Sequence, residues 1–284
     1  MSMTQMTRRT ALGLAAAGGL AALVGCSSTS DTATTTTSAG QIPTVTEGKL
    51  TVATGQPAYS PWVEDDKPQS GKGFEAAVAY AVAAKLGFAA ADVVWVRTSF
   101  DAAIAPGAKN WDFNLQQFSI TDERKKAVDM SEPYYTTTQA VIATKGSKAA
   151  SATTLVGLAD VQFGVQAGTT SQTVLANSVK TSKKALVFNS SQDTVQALKG
   201  GQVDAIVTDL PTAIYITAAQ YDKGTIVGQF ASTAGGDEFG LVLPKGSKLT
   251  SHVDAAIKAL TADGTLAKLQ KQWLSDSIKA PVLK

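Results

Sequence analysis

From Lys49 onward, short β-rich runs alternate with segments of helical period, and this alternation constrains the fold more than any other feature of the chain. Lys49–Thr54 (K-L-T-V-A-T) alternates as a strand does. In Phe74–Leu86 the apolar residues Phe74, Val78, Ala81 and Val82 recur with helical spacing, and Gly87 follows where a left-handed helix terminus belongs. Val93–Val96 and Trp111–Leu115 read as further strands, and Gln139–Thr144 as a strand that leads the chain elsewhere. A second series has strands at Val161–Val165, Ala185–Phe188 and Val203–Val207. Its helices are Ser171–Val179 and one that opens on a capping box at Ser190-Ser191-Gln192-Asp193. Leu241–Leu243, Val253–Leu260 and Leu266–Leu274 complete the pattern. Such alternation predicts α/β layers with largely parallel sheets, and the length suffices for one or two lobes.

The unusual polar and aromatic clusters fall just beyond the carboxyl ends of these strands. Gln56 and Tyr59 follow the first, Phe100 the second, and Gln116, Gln117 and Ser119 the third. Thr169 and Thr170 follow Val161–Val165, and Asp209 follows Val203–Val207. Any one cluster reads as a connecting loop. Together they mark the edge at which open α/β sheets bind ligands.

Past the first residues the chain has two arginines, Arg97 and Arg124. T-D-E-R-K-K alone is an ordinary helix start, with acids before bases. An arginine beside Ser119 and Thr121 also suits a bidentate hold on a carboxylate. Asp209 ends the apolar run V-D-A-I-V-T-D, a poor place for an acid without a cationic partner.

Residues 1–25 read as a signal peptide. Arg8-Arg9 precede an Ala/Gly/Leu run from Ala11 to Val24, too short to span a bilayer. T-R-R-T-A-L is similar to a twin-arginine export signal, with a general secretory signal as the alternative. L-V-G-C resembles a bacterial lipobox, which implies lipid on Cys26. Residues 26–46, rich in Ser and Thr, read as a flexible tether. Cys26 is the single cysteine and His252 the single histidine, so neither an internal disulfide nor a zinc site is expected. Residues 1–25 hold Arg8, Arg9 and no acid, so their loss turns the net charge of +2 into zero, and nucleic acid is not an expected partner.

S-I-T-D-E-R, followed by S-E-P-Y-Y, is similar to the signature of family 3 solute-binding proteins, the amino-acid receptors of ABC importers. Y-S-P-W at Tyr59–Trp62, S-F-D-A-A-I at Ser99–Ile104, Q-A-G-T-T-S at Gln166–Ser171 and V-D-A-I-V-T-D at Val203–Asp209 resemble further family motifs in family order. So do D-E-F-G-L-V-L-P-K-G at Asp237–Gly246 and D-G-T-L-A-K-L-Q-K-Q-W at Asp263–Trp273. The resemblance runs from Gly48 to Leu274.

It implies a two-lobe periplasmic-binding-protein-like fold of type II. Lobe 1 would comprise 47–139 plus 236–284 and lobe 2 140–235, with crossovers near Ala140–Thr144 and Ala231–Phe239. The ligand would lie in the interlobe cleft. Arg124 and the helix start at Thr169 and Thr170 would hold its carboxylate. Asp209, the Ser119 hydroxyl and the Gln117 carbonyl would take its ammonium, while Tyr59, Phe100 and Trp62 would wall its side chain. A monomeric receptor is implied, without cofactor, lipid-anchored on the extracytoplasmic face and serving an ABC permease and its ATPase.

Gln56 stands where receptors for cationic amino acids often carry an acid, and Gln116 and Gln117 replace small residues. The lining therefore favours a neutral polar side chain such as glutamine, or an acidic one if a lysine reaches the cleft. Two alternatives remain. One is a cleft enzyme resembling cyclohexadienyl dehydratase, for which Glu238 is the candidate acid, and the other is a sensor lipoprotein.

Overall fold

The computed structural model describes residues 42–231, 237–274 and 280–284. The expected signal peptide, Cys26 and most of the expected tether lie outside them. The tether expected through residue 46 ends earlier. Ile42 is buried in the first core, and the Val45 amide donates to Asp112 at 2.7 Å.

Five strands form one sheet in the order β2-β1-β3-β10-β4. β1 (Leu50–Thr54) lies parallel to β2 (Val93–Arg97) and β3 (Phe113–Asn114), while β10 (Asp237–Leu243) runs antiparallel to both β3 and β4 (Asp129–Thr137). All of β1 is buried, as a strand covered on both faces should be. Leu50 and Val52 join Phe74, Val78 and Val82 of α1 (Phe74–Lys85), Val253 and Ile257 of α7 (Thr250–Ala262), and Leu266 of α8 (Thr265–Trp273) in one core.

Six strands form the other sheet, in the order β11-β9-β5-β8-β6-β7. They are β5 (Gln139–Thr144), β6 (Phe163–Gln166), β7 (Leu186–Phe188), β8 (Ala205–Asp209), β9 (Gly224–Phe230) and β11 (Val282–Leu283). β5 shows the period of two directly. Val141 and Ala143 enter a core with Phe163, Val165 and Leu175, whereas Ala140 and Ile142 enter another with Val195, Leu198 and Ile206.

The chain passes from the first sheet to the second at Thr138, between β4 and β5, and returns between β9 and β10. Residues 232–236 of the second crossover lie outside the described residues. The tail departs from expectation. Residues 280–284, assigned by sequence to lobe 1, pair with β9 in the second sheet, where the Gln229 amide donates to the Pro281 carbonyl at 2.8 Å. A Cβ on Gly228 would lie 2.7 Å from that carbonyl, so this position keeps room for the tail. Among the described residues no helix is long and apolar enough to cross a membrane.

Candidate ligand-binding cleft

The site is assembled from loops that leave the strands at one edge of each sheet. In the first lobe, the loop after β1 carries Gln56, Tyr59 and Trp62 to the mouth of α1. The amides of Phe74 and Glu75 donate to the carbonyls of Pro61 and Trp62, each at 2.9 Å. Gly73 makes this approach possible, with φ of 100° and a hypothetical Cβ 2.5 Å from the Trp62 carbonyl oxygen. Arg97 holds the same loop from behind. Its guanidinium donates to the Gly55 carbonyl at 2.8 Å and to the Asp66 carbonyl at 2.6 Å, and pairs with the Asp66 carboxylate.

Thr121 caps α3 (Asp122–Ala127) by accepting from the Arg124 amide at 3.2 Å, which sets the arginine in the first turn. Its side chain is buried. Nη1 donates to the Ser119 carbonyl at 2.7 Å and Nη2 crosses to the Gly168 carbonyl in the second lobe at 3.0 Å. Burial lowers its pKa, against the raising influence of Asp209 and Asp237. Phe100 lies under the guanidinium, 5.3 Å from centroid to Cζ, and stacks on Phe118 at 4.8 Å. The expected wall for a ligand side chain is therefore also the platform that orients Arg124.

In the second lobe Thr169 is the N-cap of α4 (Thr170–Ser178), reached through Gly168 at φ of 68°. Asp209 ends β8 at the start of α6 (Leu210–Tyr215). Its carboxylate does not pair directly with Arg124. It accepts from Gln139 Nε2 at 2.6 Å, and the same nitrogen donates to Asp237 at 2.7 Å. Burial, then the neighbouring Asp237 charge, pushes Asp209 up to about 7, against the Gln139 hydrogen bond and the more distant Arg124.

Every ligand-contact residue expected from sequence lines one cavity of about 170 Å³: Gln56, Tyr59, Phe100, Gln117, Ser119, Arg124, Thr169, Thr170 and Asp209. This is below the roughly 300–1,000 Å³ typical of drug-sized sites, so the space suits one small solute. Trp62 also lines it, but is buried against Phe74, Tyr135 and Phe239. Glu238 does not join the cavity. It is exposed on β10, which removes it as the candidate acid of a cleft enzyme.

Three residues in or behind the cleft were not anticipated. Glu75 lines the cavity from α1, wholly enclosed, and burial pushes it up to about 7 despite donors from Tyr134 and Gln117. Gln139 and Asp237 form the bridge behind Asp209. The signals were present but ambiguous: Glu75 follows Phe74 within an apolar helical run, and Gln139 begins an apolar strand.

Across the cleft the lobes touch directly. Trp62 Nε1 donates to Thr212 Oγ1 at 2.9 Å, the Ser119 and Thr170 hydroxyls lie 3.0 Å apart, and Thr170 donates to Asp237 at 2.8 Å. Two α/β lobes, joined by antiparallel crossover strands and closed over a small cavity, define a type II binding protein.

The sequence places it within that class. Residues 50–276 match the family model of bacterial extracellular solute-binding proteins, family 3, and the chain belongs to this family. It is 31% identical over 175 residues to the ABC transporter glutamine-binding protein GlnH of Bacillus subtilis, covering 60% of this chain and 61% of GlnH. It is 27% identical to an arginine-binding periplasmic protein of Mannheimia haemolytica, over 77% of this chain and 89% of that protein. Among solved structures, an ancestral arginine-binding protein bound to glutamine superimposes with a TM-score of 0.67 at 32% identity, over 80% of this chain and 98% of that one. An ancestral amino-acid-binding protein, a precursor of cyclohexadienyl dehydratase, gives 0.65 at 31% identity, over 80% and 96%. The curated relatives are binding proteins.

Proposed function

We propose that the cleft captures a neutral polar amino acid, with glutamine the first candidate, and that the protein delivers it to the permease of an ABC importer. The observation that carries this reading is the composition of one cavity. Arg124 and Asp209 line it with Thr169 and Thr170, while the amide residues Gln56, Gln116, Gln166, Asn189, Gln192 and Gln220 line it elsewhere. Arg124 is suited to the ligand carboxylate, aided by the amides at the start of α4. Asp209 is suited to the ammonium, with Ser119 and the Gln117 carbonyl. Each charged end of a desolvated zwitterion thus meets an opposite charge.

Among the described residues, the charged ones lining the cavity are Glu75, Arg124 and Asp209. A lysine that would favour an acidic side chain is not among them, and Glu75 is engaged by Gln117 and Tyr134. An enzymatic role would call on Glu75 as the acid, but its oxygens already accept from those donors, which favours reception over chemistry.

A thermal-shift screen of the amino acids followed by calorimetry tests the reading. Glutamine should raise the melting temperature and be recovered unchanged. Arg124→Lys should weaken binding, because a bidentate fork becomes a point charge, and Asp209→Asn, which removes one charge of the pair, should weaken it by about 2–5 kcal/mol. Tight arginine binding without response to glutamine would sink the neutral-polar assignment.

The same reading has a diacylated Cys26 anchor the body at the extracytoplasmic face of the membrane, since one acyl chain holds a protein only marginally. It is supported by the Arg8-Arg9 leader and the L-V-G-C sequence. Cys26→Ala should move the protein from the membrane to the soluble fraction, and unchanged partitioning would refute anchoring there.

A further inference from the structure

Gln117 is one of the non-glycine residues with positive φ, at 52°, and it sits in the loop that carries Ser119 to the cleft. A side chain there has no intrinsic reason to adopt the left-handed region, so something must hold it. The holder is Glu75. The backbone amide of Gln117 donates to Glu75 Oε1 at 2.7 Å, and the Gln117 carboxamide donates to Oε2. The Tyr134 hydroxyl donates to Oε1 as well, fixing the carboxylate from β4. Glu75 itself is set by α1, whose opening turn rests on the Pro61 and Trp62 carbonyls.

We propose that Glu75 is a positioning residue for ligand capture: it clamps Gln117 in a left-handed backbone conformation and thereby aims the loop from Gln116 to Ser119 at the ligand. The Gln117 carboxamide, drawn into this clamp, is a structural group rather than a selector of the ligand side chain. The inference rests on the amino-acid reading of the cleft, but its local part does not. The clamp exists whatever the solute.

The chemistry of the clamp separates it from a direct charge on the ligand. Oε1 accepts both the Gln117 backbone amide and the Tyr134 hydroxyl, whereas Oε2 accepts only the Gln117 side chain. Glu75→Gln therefore keeps the bonds that fix the backbone, and a flip of the Gln117 amide restores the remaining one. Glu75→Ala removes all of them. Gln117→Gly removes the need for a clamp, since glycine enters this region freely.

Calorimetry would be run with L-glutamine, or with whichever amino acid stabilises the wild type most. Glu75→Gln should bind within about threefold of wild type, and Glu75→Ala about ten- to a hundredfold more weakly. Glu75→Ala combined with Gln117→Gly should recover most of that loss. A Glu75→Gln variant as impaired as Glu75→Ala, or a double variant without recovery, would overturn the proposal. Should Glu75→Ala fail to fold, the Glu75→Gln comparison still decides. Amide hydrogen exchange of the ligand-free protein supplies a reading independent of any solute. The Gln117 amide should be protected in wild type and in Glu75→Gln, and unprotected exchange in folded wild type would refute the clamp. If no amino acid binds wild type while the amide is protected, the amino-acid reading fails and the clamp stands.

Discussion

At Asp209 burial and a neighbouring acid disfavour the charged carboxylate, an effect that a ligand ammonium would offset. Its ordinary value is 3.8, and burial beside Asp237 raises it to about 7 in the folded protein. Between these values the folded state keeps a proton that the unfolded chain has released. The stabilising contribution of the group is full below about pH 4 and is lost as pH rises through about 7. Glu75 has the same sign, from 4.5 to about 7. The empty protein should therefore melt at a lower temperature at pH 8 than at pH 5. An ammonium beside Asp209 favours its ionised form, so capture at pH 7 should release protons. Titration in buffers of different ionisation enthalpy should show this release in wild type, and show less of it in Asp209→Asn, which cannot titrate there. Equal release by the two proteins would place the ammonium elsewhere.

Among the elements, those with a strong local period were legible in the sequence, and those made by distant pairing were not. The helix from Phe74 and its glycine terminator lie where the pattern put them, and Ser190 caps α5 (Ser191–Lys199) by accepting from the Asp193 amide at 3.1 Å. β4 was missed because Pro133 interrupts it. Its register with β10 shifts around Gly240, a mark of bulged edge pairing that tolerates proline. β9 and β11 were also missed. The pairing of Val282 with Gln229 depends on a groove cleared at Gly228, and nothing local to Val282 announces it. The lining of the cavity was legible by residue because the strands deliver their loops to the same edge. Its internal wiring was not, since Gln139 and Asp209 meet only through the antiparallel register of β5 and β8. Glu75 illustrates the limit best. An acid in the first turn of a helix is ordinary on any surface, and only the packing of α1 against the Gln117 loop makes it a buried clamp.

At the scale of the whole molecule, lobe closure is the expected motion, and the direct bonds across the cleft would set part of its balance. Such bonds favour the closed form with or without a solute, so they raise the fraction of empty protein ready to bind; apparent affinity scales with that fraction. Trp62 Nε1 to Thr212 Oγ1 is the bond best suited to a test, because its donor belongs to an indole fixed among Phe74, Tyr135 and Phe239. Thr212→Val removes the acceptor while nearly preserving shape. In the closed form it leaves the buried indole N–H unpaired, at a cost of about 1–3 kcal/mol. In an open form the same group can meet water, so the penalty falls on closure rather than on the fold of either lobe. The variant should melt close to wild type, show a larger radius of gyration in small-angle scattering without ligand, and bind about five- to a hundredfold more weakly. Unchanged scattering together with unchanged affinity would mean that this bond has no part in closure. A large fall in melting temperature would instead assign Thr212 to the stability of the second lobe.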